Sequence, residues 1–164
     1  PVNEETAKIY RDEIAKVTDK PIKYVVYSSS LWGRIRGGRV FKAEGAQIVA
    51  HEMCAQELKD TPHPDVVMPD ITFTDKYNIS VGDVSLDLVH LGANYGTCSP
   101  VMIAQPTNMM FLVNIVNPPY AQVPWDPTIP NFHLHNLVPF FHAVEDYAAE
   151  YKIESVMEIG RAHV

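Results

Sequence analysis

Apolar residues recur at helical spacing near both ends of the chain. Glu4–Val17 places apolar side chains three and four positions apart, which predicts an amphipathic helix. Asn3 is positioned to cap this helix, and the charges of Glu4 and Glu5 suit its positive end. Leu137–Tyr151 has the same spacing and predicts a second amphipathic helix.

Between Pro21 and Leu58 the apolar pattern changes from helical spacing to short continuous runs. Ile22–Tyr27 is almost wholly apolar, which predicts a strand buried on both faces. Gln47–Ala50 predicts a second short strand, and His51–Leu58 predicts a helix behind it. Strand, helical segment and strand in series indicate a parallel crossover unit.

The middle of the chain consists of short apolar runs separated by Gly, Asn, Asp or Pro, typical of a largely antiparallel meander. These runs are Ile71–Phe73, Asn78–Val81, Val84–Leu91, Pro100–Ala104 and Met109–Val116. Pro118–Pro130 predicts an irregular surface segment, and Ile153–Ile159 predicts a last strand. The pattern as a whole predicts an α/β fold with a mixed sheet and helices on its faces.

Composition narrows the class of protein. The chain has 164 residues, about one ordinary domain, and 46% of them are hydrophobic. A formal charge of −7 argues against nucleic acid or an anionic membrane as the main partner. No run approaches the roughly 18 apolar residues that a membrane span needs. We therefore expect a soluble protein; no leader is visible at Pro1–Val2, although one could have been removed, and the compartment stays open.

Two cysteines, Cys54 and Cys98, are too few for a disulfide framework. One bridge is compatible with the sequence, and two free thiols are the favoured interpretation. A reactive Cys98 thiolate beside Arg34 is an alternative to a buried, inert thiol.

Four segments carry a resemblance to a known family. The string from Tyr27 to Gly38 reads YSSSLWGRIRGG after the predicted strand. Three further segments are Gly45–Glu52, Leu91–Gly96 and Phe111–Pro118. Together they resemble the strand ends and helix starts of the metallo-β-lactamase superfamily over most of Pro21–Pro118. The resemblance implies a single αββα sandwich domain with mixed sheets over residues 1–164, incomplete in this chain.

The same resemblance implies that the metal ligands of the family are lost. Its members hold one or two metal ions, usually zinc, through a His-x-His-x-Asp-His motif and later His and Asp residues, and a metal-bound hydroxide is the nucleophile. Carried over by position, those ligand positions hold Ser29, Leu31, Gly33, Arg34, Tyr95, Asn114 and, at the end of the chain, Arg161 or, with a shift, His163. Leu and Gly side chains offer no donor atom, and Arg repels a cation.

This loss implies a catalytically degenerate protein without metal or cofactor, acting as a small-ligand-binding or structural subunit. Its former metal pocket would include Trp32 besides the carried-over positions, and Arg34 in that pocket suits a small anionic or carbonyl-bearing ligand. The alternative is a hydrolase of ester, lactone, thioester or β-lactam substrates with a relocated metal or a metal-free mechanism. A third interpretation is an extracellular carrier of a pigment or lipid, favoured only by the apolar, proline-rich Pro118–Pro130.

Domains of the family are longer and begin with a strand pair that this chain lacks. The resemblance therefore implies either a fragment or a chain completed by a partner, and we expect a homo-oligomer or a second chain covering the open edge.

Other candidate residues have simpler explanations. His133 and His135 could chelate a metal relocated from the motif, although solvated or capping histidines are favoured. We expect His51 to cap a helix, His90 to be a satisfied core or edge histidine, and His142 to pack beside phenylalanines. Ser28, Ser29 and Ser30 could supply a nucleophile, but turn hydrogen bonds explain them better.

Overall fold

The computed structural model describes residues 1–94, 96–115 and 134–159. The chain divides into two compact units, Pro1–Phe73 and Thr74–Val164. The assignment of the whole chain to a single domain stays a prediction. No helix in the described ranges is long and apolar enough to cross a membrane.

The first unit is a parallel three-stranded sheet with four helices. Its elements are α1 (Glu4–Ala15), β1 (Tyr24–Tyr27), α2 (Trp32–Ile35), α3 (Gly38–Ala43), β2 (Gln47–His51), α4 (Glu52–Asp60) and β3 (Ile71–Phe73). The sheet order is β1-β2-β3, and both strand pairs are parallel. The predicted crossover unit is therefore confirmed.

The prediction that the first strand is buried on both faces is wrong. The strand is shorter than Ile22–Tyr27, and Tyr24, Val25 and Val26 are only half-buried. The reason is position, because β1 is an edge strand and β2 is the central one. Ile48, Val49 and Ala50 on β2 are fully buried.

Helix α1 contacts the rest of its unit through a narrow face. The Asn3 cap is confirmed, since its Oδ1 accepts a hydrogen bond from the Thr6 backbone N–H at 2.8 Å. Ala7 is the buried residue of this helix, and it joins Val40 and Phe41 in a core cluster. The apolar side chains whose spacing predicted the helix are exposed to solvent. They are Ile9, Tyr10, Ile14 and Val17.

The second unit is a five-stranded sheet with one long helix. Its elements are β4 (Lys76–Val81), β5 (Val84–Val89), β6 (Val101–Gln105), β7 (Met109–Val113), a short 3-10 helix (Leu134–Asn136), α5 (Leu137–Glu150) and β8 (Ser155–Ile159). Strands β4 to β7 form an antiparallel meander, as predicted, and β8 pairs with β7 in parallel. The inclusion of Ile71–Phe73 in that meander is wrong, because this run is β3 and pairs in parallel with β2. The predicted irregular segment Pro118–Pro130 lies outside the described residues.

Helix α5 is tied to the sheet of its unit by a polar and aromatic cluster. Lys76 on β4 donates a hydrogen bond to the Tyr147 hydroxyl at 3.3 Å and lies 5.0 Å from the centroid of the Tyr151 ring. The two tyrosine rings stack with centroids 4.2 Å apart. Lys76 also pairs with Asp87 on β5 at 3.7 Å.

Candidate functional site

The segment that follows β1 holds the first four predicted site positions. Ser29 is buried, and its Oγ accepts a hydrogen bond from the Leu31 backbone N–H at 3.4 Å. The neighbouring Ser30 hydroxyl donates to a carboxylate oxygen of Glu57 on α4 at 2.5 Å. Turn hydrogen bonding, the favoured interpretation of the serines, is therefore confirmed for Ser29, whereas Ser30 bonds to a distant helix.

The predicted site residues on helix α2 differ in their exposure to solvent. Trp32 is 40% exposed, and its ring centroid lies 4.9 Å from that of His63. Gly33 is exposed, and a Cβ built on it would meet nothing within 4 Å. Arg34 is half-buried and lines a cavity inside this unit.

That cavity has a volume of about 70 Å³ and lies between β1 and the α2–α3 segment. Arg34 is the cationic side chain in its lining, and Ser28 and Tyr27 add hydroxyl groups. The Tyr27 hydroxyl donates to the Val67 carbonyl at 3.1 Å. Burial, with a smaller effect of the Asp70 charge, raises the pKa of Tyr27 well above its ordinary value, so the phenol stays protonated. The remaining side chains of the lining are apolar, which suits a small group with one polar end.

The Gly37-Gly38 pair is explained by close packing. A Cβ at Gly38 would collide with the Tyr27 hydroxyl, and one at Gly37 would collide with Ala7. Both glycines therefore let α3 approach its neighbours in the first unit.

Arg36 is a site candidate that the sequence analysis missed. Its backbone N–H ends α2 by donating to the Trp32 carbonyl at 3.2 Å. Its side chain is half-buried, and its buried Nε has no hydrogen-bond partner among the described residues. The sequence signal was present, since Arg36 is a charged residue beside two glycines, but the burial of Nε is visible only in three dimensions.

Asn114 lies in the second unit, directly after β7. It is buried and adopts a left-handed backbone conformation with φ of 58°, which asparagine tolerates better than most residues. Because of this turn, β7 ends at Val113, before the end of the predicted run Met109–Val116. Tyr95, Arg161 and His163 lie outside the described residues, so the gathering of these residues with Ser29 and Arg34 into one pocket stays a prediction.

The described histidines have local roles. His51 Nδ1 accepts the Met53 backbone N–H at 3.2 Å, which confirms the predicted helix cap. His90 Nε2 lies 2.9 Å from the Thr97 carbonyl oxygen, which confirms a satisfied histidine. The packing role expected for His142 is wrong, because its side chain is largely exposed and lies 3.5 Å from a Glu145 carboxylate oxygen. His135 lies in the 3-10 helix, and His133 is outside the described residues.

The favoured interpretation of the cysteines is also wrong. Cys54 and Cys98 are both disulfide-bonded, and neither is a free thiol. A reactive Cys98 thiolate is therefore excluded in this state, as is a buried thiol. A disulfide requires two Cβ atoms that lie close together, and this distance cannot be predicted from the number and spacing of the cysteines. The prediction of free thiols, which used only the number of cysteines, is wrong for this reason.

The residues at the motif positions do not fit a metal ion. One hydroxyl, two side chains without a donor atom and one guanidinium occupy the four positions from Ser29 to Arg34. Within the ranges that the structure describes, no three His, Cys, Asp or Glu side chains form a group that could hold a metal.

The fold is that of solved metallo-β-lactamases. A metallo-beta-lactamase from Pontibacter korlensis superposes with a TM-score of 0.78 at 16% identity, over 95% of this chain and 69% of its own. The DIM-1 metallo-beta-lactamase, in a crystal structure of the enzyme exposed to ceftazidime, gives a TM-score of 0.75 at 12% identity, over 98% and 70%. No family model and no curated protein sequence matches the chain. Its two mixed α/β units thus carry the metallo-β-lactamase fold on a sequence that differs from those enzymes at most positions.

Proposed function

We propose that the chain is a catalytically degenerate, metal-free protein of the metallo-β-lactamase fold, acting as a small-ligand-binding or structural subunit. The observation that carries this proposal is the segment after β1. Where the resemblance puts four metal ligands, the chain has Ser29, Leu31, Gly33 and Arg34. Zinc takes sulfur, imidazole or carboxylate ligands, and none of these is available from the four side chains.

Neighbouring groups in the same unit do not compensate for that loss. The Glu57 carboxylate reaches this segment, but it accepts the hydrogen bond of Ser30. The Nδ1 atoms of His51 and His63 accept backbone N–H groups and act as local caps. The fixed charge of Arg34 would oppose a cation beside it. Charge and donor chemistry therefore favour an anion over a metal at this segment.

As a binding protein, the chain would hold its ligand around the former ligand positions. Arg34 offers a charge for a carboxylate or a carbonyl oxygen, Ser29 a hydroxyl and Trp32 an exposed aromatic surface. Leu31 and Gly33 belong to the same segment. We include Tyr95, Asn114, Arg161 and His163 in the proposed site on the resemblance alone.

As a structural subunit, the chain would associate with a second copy. The exposed apolar side chains of α1 support this proposal, because such stripes usually pack against another surface. Light scattering coupled to gel filtration tests it. A monomer that persists at high protein concentration would refute association.

The decisive experiment is metal analysis of protein purified without chelators, followed by assays with ester, lactone, thioester and β-lactam substrates. We expect substoichiometric zinc, iron and manganese, and rates that match those of an Arg34→Ala variant. Stoichiometric metal, or turnover that the Arg34→Ala variant loses, would overturn the proposal and favour the alternative hydrolase.

A further inference from the structure

Arg36 has a buried Nε atom that the first unit leaves without a hydrogen-bond partner. Its Nε is shielded from solvent and makes no hydrogen bond within the part of the chain that the structure describes. A desolvated donor without an acceptor is costly, and in native proteins it usually marks a bound water, an ion or a ligand group. The guanidinium would gain by turning its Nε and Nη donors toward an incoming anion.

The basic side chains of α3, which follows Arg36 in the chain, already have acceptors. Arg39 lies 3.3 Å from a Glu4 carboxylate oxygen and donates to the Pro64 carbonyl. Lys42 pairs with Asp70 at 2.5 Å. An anion that binds near α3 would therefore compete with a protein acceptor at Arg39 and Lys42, whereas no described residue occupies the Arg36 Nε.

An aromatic surface lies one helical turn before Arg36. Residues four apart in a helix lie on the same side, and the bond from the Arg36 N–H to the Trp32 carbonyl confirms that relation here. The Trp32 ring is partly exposed and rests against His63 at an interplanar angle of 51°. His63 is itself held, since its Nδ1 accepts the Asp65 backbone N–H at 3.1 Å. The indole is therefore a positioned, partly exposed ring one helical turn from an Nε atom that has no hydrogen-bond partner among the described residues.

We propose that Trp32 and Arg36 form a subsite for an aromatic carboxylate, with the ligand ring against the indole and the carboxylate on the guanidinium. Arginine pairs side-on with a carboxylate through two parallel N–H donors, which would satisfy Nε. This inference rests on the proposed ligand-binding function, because it names the class of ligand.

The test is calorimetric titration of the full chain with benzoate, with acetate and benzamide as probes that lack the ring or the charge. Benzoate should bind more tightly than either. Arg36→Met and Trp32→Leu should each weaken benzoate binding about tenfold or more, whereas Arg39→Met, which removes a nearby paired charge, should change it less than twofold. Equal affinity of the wild type and Arg36→Met for benzoate, equal losses in Arg36→Met and Arg39→Met, or stronger binding of inorganic phosphate than of benzoate would each overturn the subsite.

Stability of the ligand-free protein separates binding from a merely structural role. Arg36→Met removes the unsatisfied Nε, so the midpoint of urea unfolding should stay the same or rise. A clear fall in that midpoint would show that Arg36 stabilises the fold, and would contradict the subsite. Metal-dependent hydrolysis alongside Arg36-dependent benzoate binding would overturn the proposed function and leave this inference standing.

Discussion

The Ser30 hydroxyl and the Glu57 carboxylate form a 2.5 Å hydrogen bond that joins the segment after β1 to helix α4. The bond puts a carboxylate beside the positions where the resemblance puts metal ligands, but the carboxylate accepts the hydrogen bond of the protein's own hydroxyl. The segment is thus tied to α4 by a hydrogen bond between two side chains that are distant in sequence.

A double-mutant cycle on this pair measures its strength. Glu57→Ala and Ser30→Ala should each lower the free energy of unfolding, because each removes one partner of a charge-assisted hydrogen bond. The two losses should overlap by about 1 kcal/mol or more in the double variant. Urea unfolding followed by circular dichroism gives the values, and additive losses would show that the bond contributes nothing.

Gly38→Ala should destabilise the first unit by about 1–3 kcal/mol, since its methyl group would collide with the Tyr27 hydroxyl. Thermal unfolding measures the effect. Part of the loss should disappear in a Tyr27→Phe background, which lacks the colliding oxygen.

Gly33→Ala is the matched control for this glycine effect. Gly33 lies within α2, and a Cβ there meets nothing within 4 Å. Alanine should therefore be neutral or slightly stabilising, by up to about 1 kcal/mol from helix propensity. Equal destabilisation at both glycines would mean that close packing does not explain the pair.

The cysteines should behave as a disulfide. In denaturant, Ellman's reagent should detect no thiol before reduction and two thiols after it. Replacing both by serine should lower the free energy of unfolding by about 2–4 kcal/mol. Two thiols in the unreduced, denatured protein would contradict the disulfide.

Local patterns predicted most elements of the fold. The Asn3 cap, the parallel crossover and the antiparallel meander follow from residue spacing and turn residues, because those signals act over a few positions. The resemblance of the segment Tyr27–Gly38 then pointed to the fold that the solved metallo-β-lactamases share.

What the sequence could not predict depends on contacts between distant segments. The burial of β1 depends on its place at the sheet edge, and the state of the cysteines depends on tertiary geometry. The unsatisfied Nε of Arg36 is likewise a property of its surroundings. A charged residue next to Gly37 looks like an ordinary surface residue until its neighbours are known.

Asp70 should make the stability of the first unit depend on acid pH. A hydrogen bond from the Ile48 backbone N–H at 2.9 Å, and a second from Lys42, lower the pKa of Asp70 below its ordinary value. A folded-state pKa that is lowered stabilises the protein fully above the unfolded-state pKa, near 3.9, and this stabilisation is lost as the pH falls through the folded-state pKa.

Asp70→Asn should therefore reduce the free energy of unfolding at neutral pH, on the order of 1 kcal/mol for a partly exposed group. It should also flatten the loss of stability below pH 4. Parallel pH profiles for the wild type and Asp70→Asn would show that the carboxylate contributes nothing to this dependence.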